Sequence, residues 1–413
     1  MHNPRTSKDI FVLLQLPSFR YFLITRVLST GAFQMMSVAI AWEVWDLSKS
    51  ALSLGMIGLA QFAPKIIFMP FAGNLADRVD RRKILALSIA VQGACMLALA
   101  VRPYGGEILL PMIYIFTLVI GAARTYEMPA TQALLPALVP SQQVSRAVAI
   151  SASTFQLSTV FAPMFAGFLY IIGPDFIYAL VGALLGIATY SSLKIKPLKD
   201  QEYGISKGTA WKSFIEGLNF VRHNRSILGA ISLDMMAVLL GGATALLPII
   251  ASDVLKTGTW GLGLLRAAPA LGAMLISLWL TRYPLEKNVG RWMFGSVIVF
   301  GLATVILGLS SSLMISLLAL LVVGGADMIS MIFRSSYIQL ATPDSMRGRV
   351  SSVNGLFIGA SNQLGEFESG LTAAWIGVVP AIVAGGVGTV VVALIWMHYF
   401  PGLANLKTLP KVD

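Results

Sequence analysis

The stretch GNLADRVDRRK, residues 73–83, begins in the last turn of a long apolar run at 51–76 and ends where a second apolar run at 84–102 begins. It ends in the basic residues Arg78, Arg81, Arg82 and Lys83. A membrane-spanning helix needs roughly 20 mostly apolar residues, and basic residues between such helices collect on the cytoplasmic side. The stretch therefore predicts a short cytoplasmic loop that joins two membrane-spanning helices.

The composition of the whole chain agrees with a membrane protein. Of its 413 residues, 56% are hydrophobic and 12% are charged, and the mean hydropathy is +0.77. Soluble domains carry about 25% charged residues. One cysteine, Cys95, and three scattered histidines predict no disulfide, no metal site and no cofactor. The net charge of +11 is explained by membrane topology, so nucleic acid is not expected as a partner.

Apolar stretches of spanning length recur along the chain, and their pattern predicts an all-α membrane protein with twelve transmembrane helices. The first stretch is too long for a cleaved signal and is expected to stay as a helix. The predicted spans are 19–45, 51–76, 84–102, 108–130, 142–170, 172–193, 227–254, 260–281, 291–310, 312–340, 348–374 and 378–400.

Basic residues predict the orientation of these spans. They are dense at the N-terminus, in the loop at 78–83 and between 194 and 225. Only Lys49, Arg102 and Lys256 fall on the opposite side of this map. The positive-inside rule then places both termini in the cytoplasm.

The sequence pattern indicates that the chain consists of two related halves. When it is shifted by 203 residues, the segment at 118–124 falls on 321–327 and Pro140 falls on Pro343. We expect a six-helix bundle at 1–193, a cytoplasmic linker at 194–226 and a second six-helix bundle at 227–413. Apolar residues at helical spacing in the linker (Trp211, Phe214, Ile215, Leu218 and Val221) are compatible with an amphipathic surface helix, and a simple linker is equally compatible.

The stretch at 73–83 resembles the signature loop of the major facilitator superfamily, G-x-L-a-D-R-x-G-R-R-x, except that Asp80 stands where the pattern has a glycine. The stretches LLPALVPSQQVSRAVAIS and ATPDSMRGRVSSVNGLF look like the enterobactin-exporter-like and drug-efflux branch of that superfamily. The resemblance implies a major facilitator fold with two pseudo-symmetric six-helix bundles. It also implies a bacterial inner (plasma) membrane location, and it supports export better than any named substrate.

The resemblance further implies a cytoplasmic gate in the loop, in which Asp77 meets the start of the eleventh helix near 347–350. The alternative is that these charges only fix the topology, which we prefer for Lys83. A side chain at Asp80 is expected to alter the tight turn. The residues of the predicted gate motif are Gly73, Asp77, Arg78, Asp80, Arg81 and Arg82.

Charged side chains inside the predicted spans are the candidate functional residues, because each costs roughly 2.5–3.5 kcal/mol to insert at mid-bilayer. Asp327 or Asp234 is the predicted proton carrier, and a static ion pair of either acid with Arg334 or Arg124 is the alternative. The set expected at a central cavity is Asp234, Asp327, Arg26, Arg124, Arg334 and Glu43. Glu366 and Glu368, like Glu43, are expected to be solvated at an outer vestibule, and Lys65 has no assigned role.

These observations predict a secondary active transporter, which exports a small siderophore-like or drug-like amphipathic molecule by proton-coupled alternating access. Such an antiporter would act as a monomer, with protons, the solute and membrane lipid as its partners. The alternative is a proton-coupled importer or facilitator of a nutrient. An enzyme is disfavoured, because the sequence shows no nucleophile–base arrangement, no metal-ligand cluster and no Walker-type loop.

Overall fold

The computed structural model describes residues 13–101, 109–198, 210–283, 285 and 287–409. Every regular element in these ranges is helical, which confirms the all-α prediction. The longer helices are α1 (Pro17–Ser48), α2 (Ala51–Arg78), α3 (Arg81–Ala100), α4 (Leu110–Leu134), α5 (Val144–Leu169), α6 (Pro174–Leu193), α7 (Ala210–His223), α8 (Arg225–Gly241), α9 (Gly258–Arg282), α10 (Val289–Leu309), α11 (Leu313–Ala341), α12 (Asp344–Ile376) and α13 (Val378–Tyr399).

Ten helical segments among the described residues are long and apolar enough to cross a membrane. The long helices α4 and α12 are not among those ten. Both carry charged residues near their middle or outer half, such as Arg124 and Glu127 on α4 and Glu366 on α12. The structure thus shows a multi-pass membrane protein, while the predicted count of twelve spans stays a prediction.

The seventh apolar stretch, predicted as one helix at 227–254, is interrupted. Helix α8 ends at Gly241, and short helical turns of changing pitch follow at 243–246, 247–249 and 250–254. Gly242 sits in a non-helical conformation, with φ −73° and ψ 55°. Its freed carbonyl accepts a hydrogen bond of 3.0 Å from the Ser369 hydroxyl. A broken helix is tolerated inside a membrane where a neighbour satisfies the backbone in this way.

The turns between helices agree with the predicted internal repeat. Pro140 and Pro343 precede equivalent helices, and each has φ −56° and ψ 146°. Gly173 and Gly377 each follow the next helix in their half and adopt positive φ, at 134° and 90°. The repeat therefore extends to backbone conformation at the joints, which supports the two pseudo-symmetric halves of the predicted fold.

The chain divides into two compact units. One contains described residues within 1–40 and 63–210, and the other contains 41–62 and the described residues from 211 onward. In the first unit α3 packs on α4 and α6, and in the second α10 packs on α11 and α13. Glycines allow close helix contacts in both units, since a Cβ on Gly301 would lie 2.6 Å from the Gly386 carbonyl oxygen.

The linker contains a helix, α7, over most of the segment where an amphipathic helix was one of two interpretations. Val221 on this helix is buried in the core of the second unit. Glu216 forms an ion pair of 2.9 Å with Arg349 on α12, and a Cβ on Gly217 would lie 2.7 Å from the carbonyl oxygen of Arg349. Helix α7 is therefore anchored to the beginning of α12.

Candidate functional site

A buried ion pair joins α8 and α11 in the second unit. Nη1 of Arg334 lies 2.5 Å from Oδ1 of Asp234. The two residues are only 3% and 7% exposed, respectively. Burying either charge alone would be costly, and a close pair reduces that cost. The structure thus brings together two of the residues that the sequence singled out.

Asp327 belongs to the same cluster. It lies about two turns before Arg334 on α11, and therefore on the same face of that helix. Its charge is attracted by Arg334 and repelled by Asp234. Within the described part of the chain it forms no hydrogen bond and no ion pair. One arginine therefore balances two carboxylates in this cluster, which we call the acidic cluster (Asp234, Asp327 and Arg334).

A small cavity separates the two acids from apolar neighbours. Its volume of about 10 Å³ is close to the minimum that admits one water molecule. It is lined by Asp234, Ala237, Val238, Val297, Phe300, Ala326, Asp327 and Ser330. A water in this position would lie beside both carboxylates.

A second charged group lies in the first unit, and the sequence reasoning missed its acid, Glu127. This residue is 7% exposed. Its Oε1 accepts a hydrogen bond from the Ser29 hydroxyl on α1. Its Oε2 accepts one of 2.8 Å from the Gln92 amide on α3, and Arg124 Nη1 lies 3.7 Å from the same oxygen. The available signal was the spacing of three residues after Arg124, which puts both charges on one helix face.

Arginines in this unit lie over aromatic rings. The guanidinium carbon of Arg124 is 3.6 Å from the centre of the Phe33 ring, and that of Arg26 is 5.0 Å from the centre of the Phe155 ring. Lys65 on α2 is close enough for its charge to be repelled by Arg124. We call Arg26, Lys65, Arg124 and Glu127 the basic cluster. Within this unit, Arg124 has Glu127 as its acidic partner.

The expected position of Glu43 was wrong. It was expected to be solvated, yet it is 4% exposed. The neighbours Ala41, Val44 and Trp45 are buried as well. Glu43 is therefore enclosed by protein, in contrast to the exposed Asp46 in the next turn of α1.

Glu366 and Glu368 are half-buried on α12. The charge that acts on Glu366 is Arg266 of α9. The Glu366 side chain lies against α2, because a Cβ on Gly58 would be 2.8 Å from the Cβ of Glu366. Glu368 accepts a hydrogen bond of 2.8 Å from the Thr372 hydroxyl. Glu366 therefore lies within a helix contact, whereas Glu368 bonds within its own helix.

The loop between α2 and α3 is ordered by its unusual aspartate. Asp80 caps α3, since its side chain accepts a hydrogen bond of 2.9 Å from the Arg82 backbone N–H. The Arg82 guanidinium also donates to Asp80 at 2.6 Å and 3.0 Å. These hydrogen bonds hold the pKa of the Asp80 carboxyl below its usual value. The residue that departs from the signature thus stabilises the helix start.

Two arginines of the loop contact neighbouring backbone. Arg81 Nη1 donates to the Ala133 carbonyl at 3.2 Å, near the end of α4. Arg82 Nη1 donates to the Ile195 carbonyl at 3.0 Å, just after α6. The side chains of Asp77 and Arg78 lie outside the described residues, as do the surroundings of Gly73. The part of these three residues in the gate therefore stays a prediction.

Comparison with known proteins assigns this chain to a protein family. A family model described as Major Facilitator Superfamily matches residues 22–366. The chain belongs to the Major Facilitator Superfamily. Its similar relatives are transporters and not enzymes.

Several curated relatives of this chain have the name Enterobactin exporter EntS. The protein from Citrobacter koseri is 26% identical over 404 residues, which cover 96% of this chain and 95% of the relative. One from Escherichia coli is 25% identical over 353 residues, which cover 85% and 83%. The similarity thus extends over nearly the full length of both chains.

Solved structures share the fold at low sequence identity. A mutant form of the nucleoside transporter NupG gives a TM-score of 0.77 at 11% identity, covering 92% of this chain and 99% of that one. A bacterial homolog of the human lysosomal transporter Spinster gives 0.73 at 14% identity, covering 94% and 96%. At such low sequence identities, the similarity concerns only the fold of the chain.

Proposed function

We propose that this protein is a proton-coupled exporter of a small amphipathic molecule in a bacterial inner membrane, with both termini in the cytoplasm. The observation that carries the proposal is the state of Asp327. It has no hydrogen-bond or ion-pair partner among the described residues, and it stands beside a cavity and the buried pair of Asp234 with Arg334. An ionisable group without a partner inside a membrane is costly, so it marks a proton or solute path.

Competition for one arginine gives the acidic cluster a way to couple charge to conformation. When Asp327 is ionised, both it and Asp234 attract Arg334. When a proton binds Asp327, Arg334 is left to Asp234 alone. The proton reaches Asp327 through water in the adjoining cavity and leaves the same way. Alternating access would expose the acidic cluster to one side of the membrane and then to the other.

The export direction is supported by the relatives. The curated proteins of 25–26% identity are named as exporters of enterobactin. A siderophore-like or drug-like solute fits that relation, and the aromatic side chains near the basic cluster suit an amphipathic molecule. The neighbours by structure include a nucleoside transporter, and import of a nutrient is the alternative outcome of the experiment below.

The test begins with an untargeted comparison of metabolites retained by cells with and without the protein. The compound so identified is then followed in everted vesicles, with and without a proton gradient. We expect gradient-dependent accumulation that Asp327→Asn and Asp234→Asn each abolish. Asp46→Asn is the matched control, because Asp46 is an exposed acid on α1 whose partner is Lys49. Retention of gradient-dependent flux in both Asn variants would refute the proposed coupling, and accumulation only in right-side-out vesicles would indicate import.

A further inference from the structure

The basic cluster of the first unit has an excess of positive charge. Arg26, Lys65 and Arg124 come from three helices, and Glu127 is the acid that attracts Arg26 and Arg124. Arg124 repels both of the other cations. Three positive charges therefore face one negative charge inside the membrane region. Such an arrangement is unfavourable unless a further negative charge joins it.

Glu127 does not satisfy the arginines, because other donors already occupy its oxygens. Ser29 donates to Oε1 and Gln92 to Oε2. The 3.7 Å between Arg124 Nη1 and Oε2 is too long for a hydrogen bond. Arg124 Nη1 and Arg26 Nε are buried and have no hydrogen-bond partner among the residues that the structure describes. Buried charged donors without an acceptor are expensive, so an acceptor from a bound molecule would lower the free energy of this unit.

The rings in this unit indicate the shape of that molecule. Phe33 lies under Arg124 and Phe155 under Arg26. A guanidinium that lies flat on a ring keeps its N–H edge free, and that edge matches a carboxylate or another planar anion. Exposed aromatic surface beside it favours contact with an apolar or aromatic group of the same ligand. Phe155 is 36% exposed, so ring surface is available.

We propose that the basic cluster is the binding site for an anionic group, a carboxylate or phenolate, of the transported amphipathic molecule. This proposal rests on the proposed function only in taking the ligand to be the solute that is moved. The anion would accept hydrogen bonds from Arg124 and Arg26, with Lys65 adding charge attraction. Glu127, fixed by Ser29 and Gln92, acts as a positioning residue that holds the Arg124 side chain against Phe33.

The experiment uses the full chain in lipid nanodiscs and two fluorescent probes of equal shape. Dansyl-glycine has a carboxylate, and dansyl-glycinamide has an uncharged amide in its place. Binding is measured by dansyl fluorescence with no proton gradient. We expect the anion to bind at least about tenfold more tightly than the amide, which is the usual effect of one charge-assisted hydrogen bond.

Variants assign that preference to the cluster. Arg124→Gln and Arg26→Gln should each weaken dansyl-glycine binding by about tenfold and leave dansyl-glycinamide binding within about twofold. Arg124→Lys, which keeps the charge, should restore part of the preference. Arg20→Gln is the matched control, since Arg20 is exposed at the start of the same helix as Arg26. If Arg124→Gln does not fold, the result with Arg26→Gln decides.

Equal affinity of the wild-type protein for the two probes would overturn the proposal, as would an equal loss of both probes in the variants. Inorganic phosphate is added as a competitor, and full displacement at equal concentration would show a site for inorganic anions instead. Because binding is measured without a gradient, the anion site can fail while proton coupling through Asp327 stands. Conversely, an intact probe preference with no gradient-dependent flux would refute only the proposed function.

Discussion

Arg334 on α11 and Asp234 on α8 form a buried ion pair, with 2.5 Å between Nη1 and Oδ1. Nε of Arg334 is buried and has no hydrogen-bond partner in the described part of the chain. The pair is thus strong at one end of the guanidinium and unsatisfied at the other. Asp327, on the same face of α11, is the acid whose charge also attracts Arg334. This geometry places a second acid on the same helix face as the arginine of the ion pair.

We expect a large energetic coupling between Asp234 and Arg334. Asp234→Asn or Arg334→Gln alone leaves one buried charge without its partner, and each should lower the free energy of unfolding by about 3–5 kcal/mol. The double variant should lose clearly less than the sum of the two. The measurement is a double-mutant cycle from reversible unfolding by SDS in mixed micelles.

The control for that cycle pairs Asp234→Asn with Arg282→Gln, because Arg282 is an exposed residue at the end of α9. Those two changes should be additive within about 0.5 kcal/mol. If the losses from Asp234→Asn and Arg334→Gln were additive as well, the pair would not stabilise this unit.

Glu127→Gln should destabilise the first unit. Glutamine can still accept a hydrogen bond from Ser29, but it removes the only negative charge described among three cations. We expect a loss of about 1–3 kcal/mol and a lower melting temperature. The buried thiol of Cys95 allows this to be followed with a thiol-reactive dye, which reports when unfolding exposes it. Ser29→Ala, which removes one donor and no charge, is the control and should have a smaller effect. A melting temperature equal to that of the wild type would contradict this role of Glu127.

Much of the fold was predictable because lipid imposes a simple rule on sequence. Long apolar runs had to be helices, and the turn residues Pro140 and Pro343 marked the same joint in both halves. The break after Gly241 was not predicted, because apolar composition continues through it. The hydroxyl of Ser369, far away in sequence, donates to the carbonyl that the break frees.

The candidate site was predictable in part. Asp234, Asp327 and Arg334 were visible as charges in apolar runs, and the structure brings them together. An ion pair of Asp234 with Arg334 was one of the alternatives, but the sequence could not select it, since it offers several acids for each arginine. Glu127 lay beside Arg124 and was overlooked, and Glu43 was placed in solvent because the sequence does not show which helix ends are enclosed.

Asp80 should stabilise α3 at neutral pH and lose that effect in acid. Its pKa is lowered by the hydrogen bonds from Arg82, so the ionised form belongs to the folded state. The contribution is present above the unfolded value, near 3.8, and is lost as the pH falls through the lower folded value. Asp80→Ala should cost about 0.5–2 kcal/mol at pH 7, and Asp80→Asn should cost less, because asparagine also caps helices. Melting temperatures at pH 7 and pH 2 for the three proteins check this. A loss in Asp80→Ala that is the same for Asp80→Asn and does not shrink toward low pH would contradict the assignment.

The contact between the first half of α2 and α12 depends on the absence of a side chain at Gly370. A Cβ there would lie 2.7 Å from the Ala51 carbonyl oxygen and 2.7 Å from the Gly55 Cα. Neither is a flexible group, so Gly370→Ala must push the helices apart and should cost about 1–3 kcal/mol. Gly355→Ala on the same helix is the matched control, because nothing lies within 4 Å of its Cβ.

Alanine is the better helix former, and the control should therefore be neutral or should gain up to about 1 kcal/mol. The two substitutions add the same methyl group to one helix, so opposite signs in their melting temperatures would isolate the helix contact from helix propensity. Equal effects would show that α2 and α12 do not pack as closely in the membrane as they do in this structure.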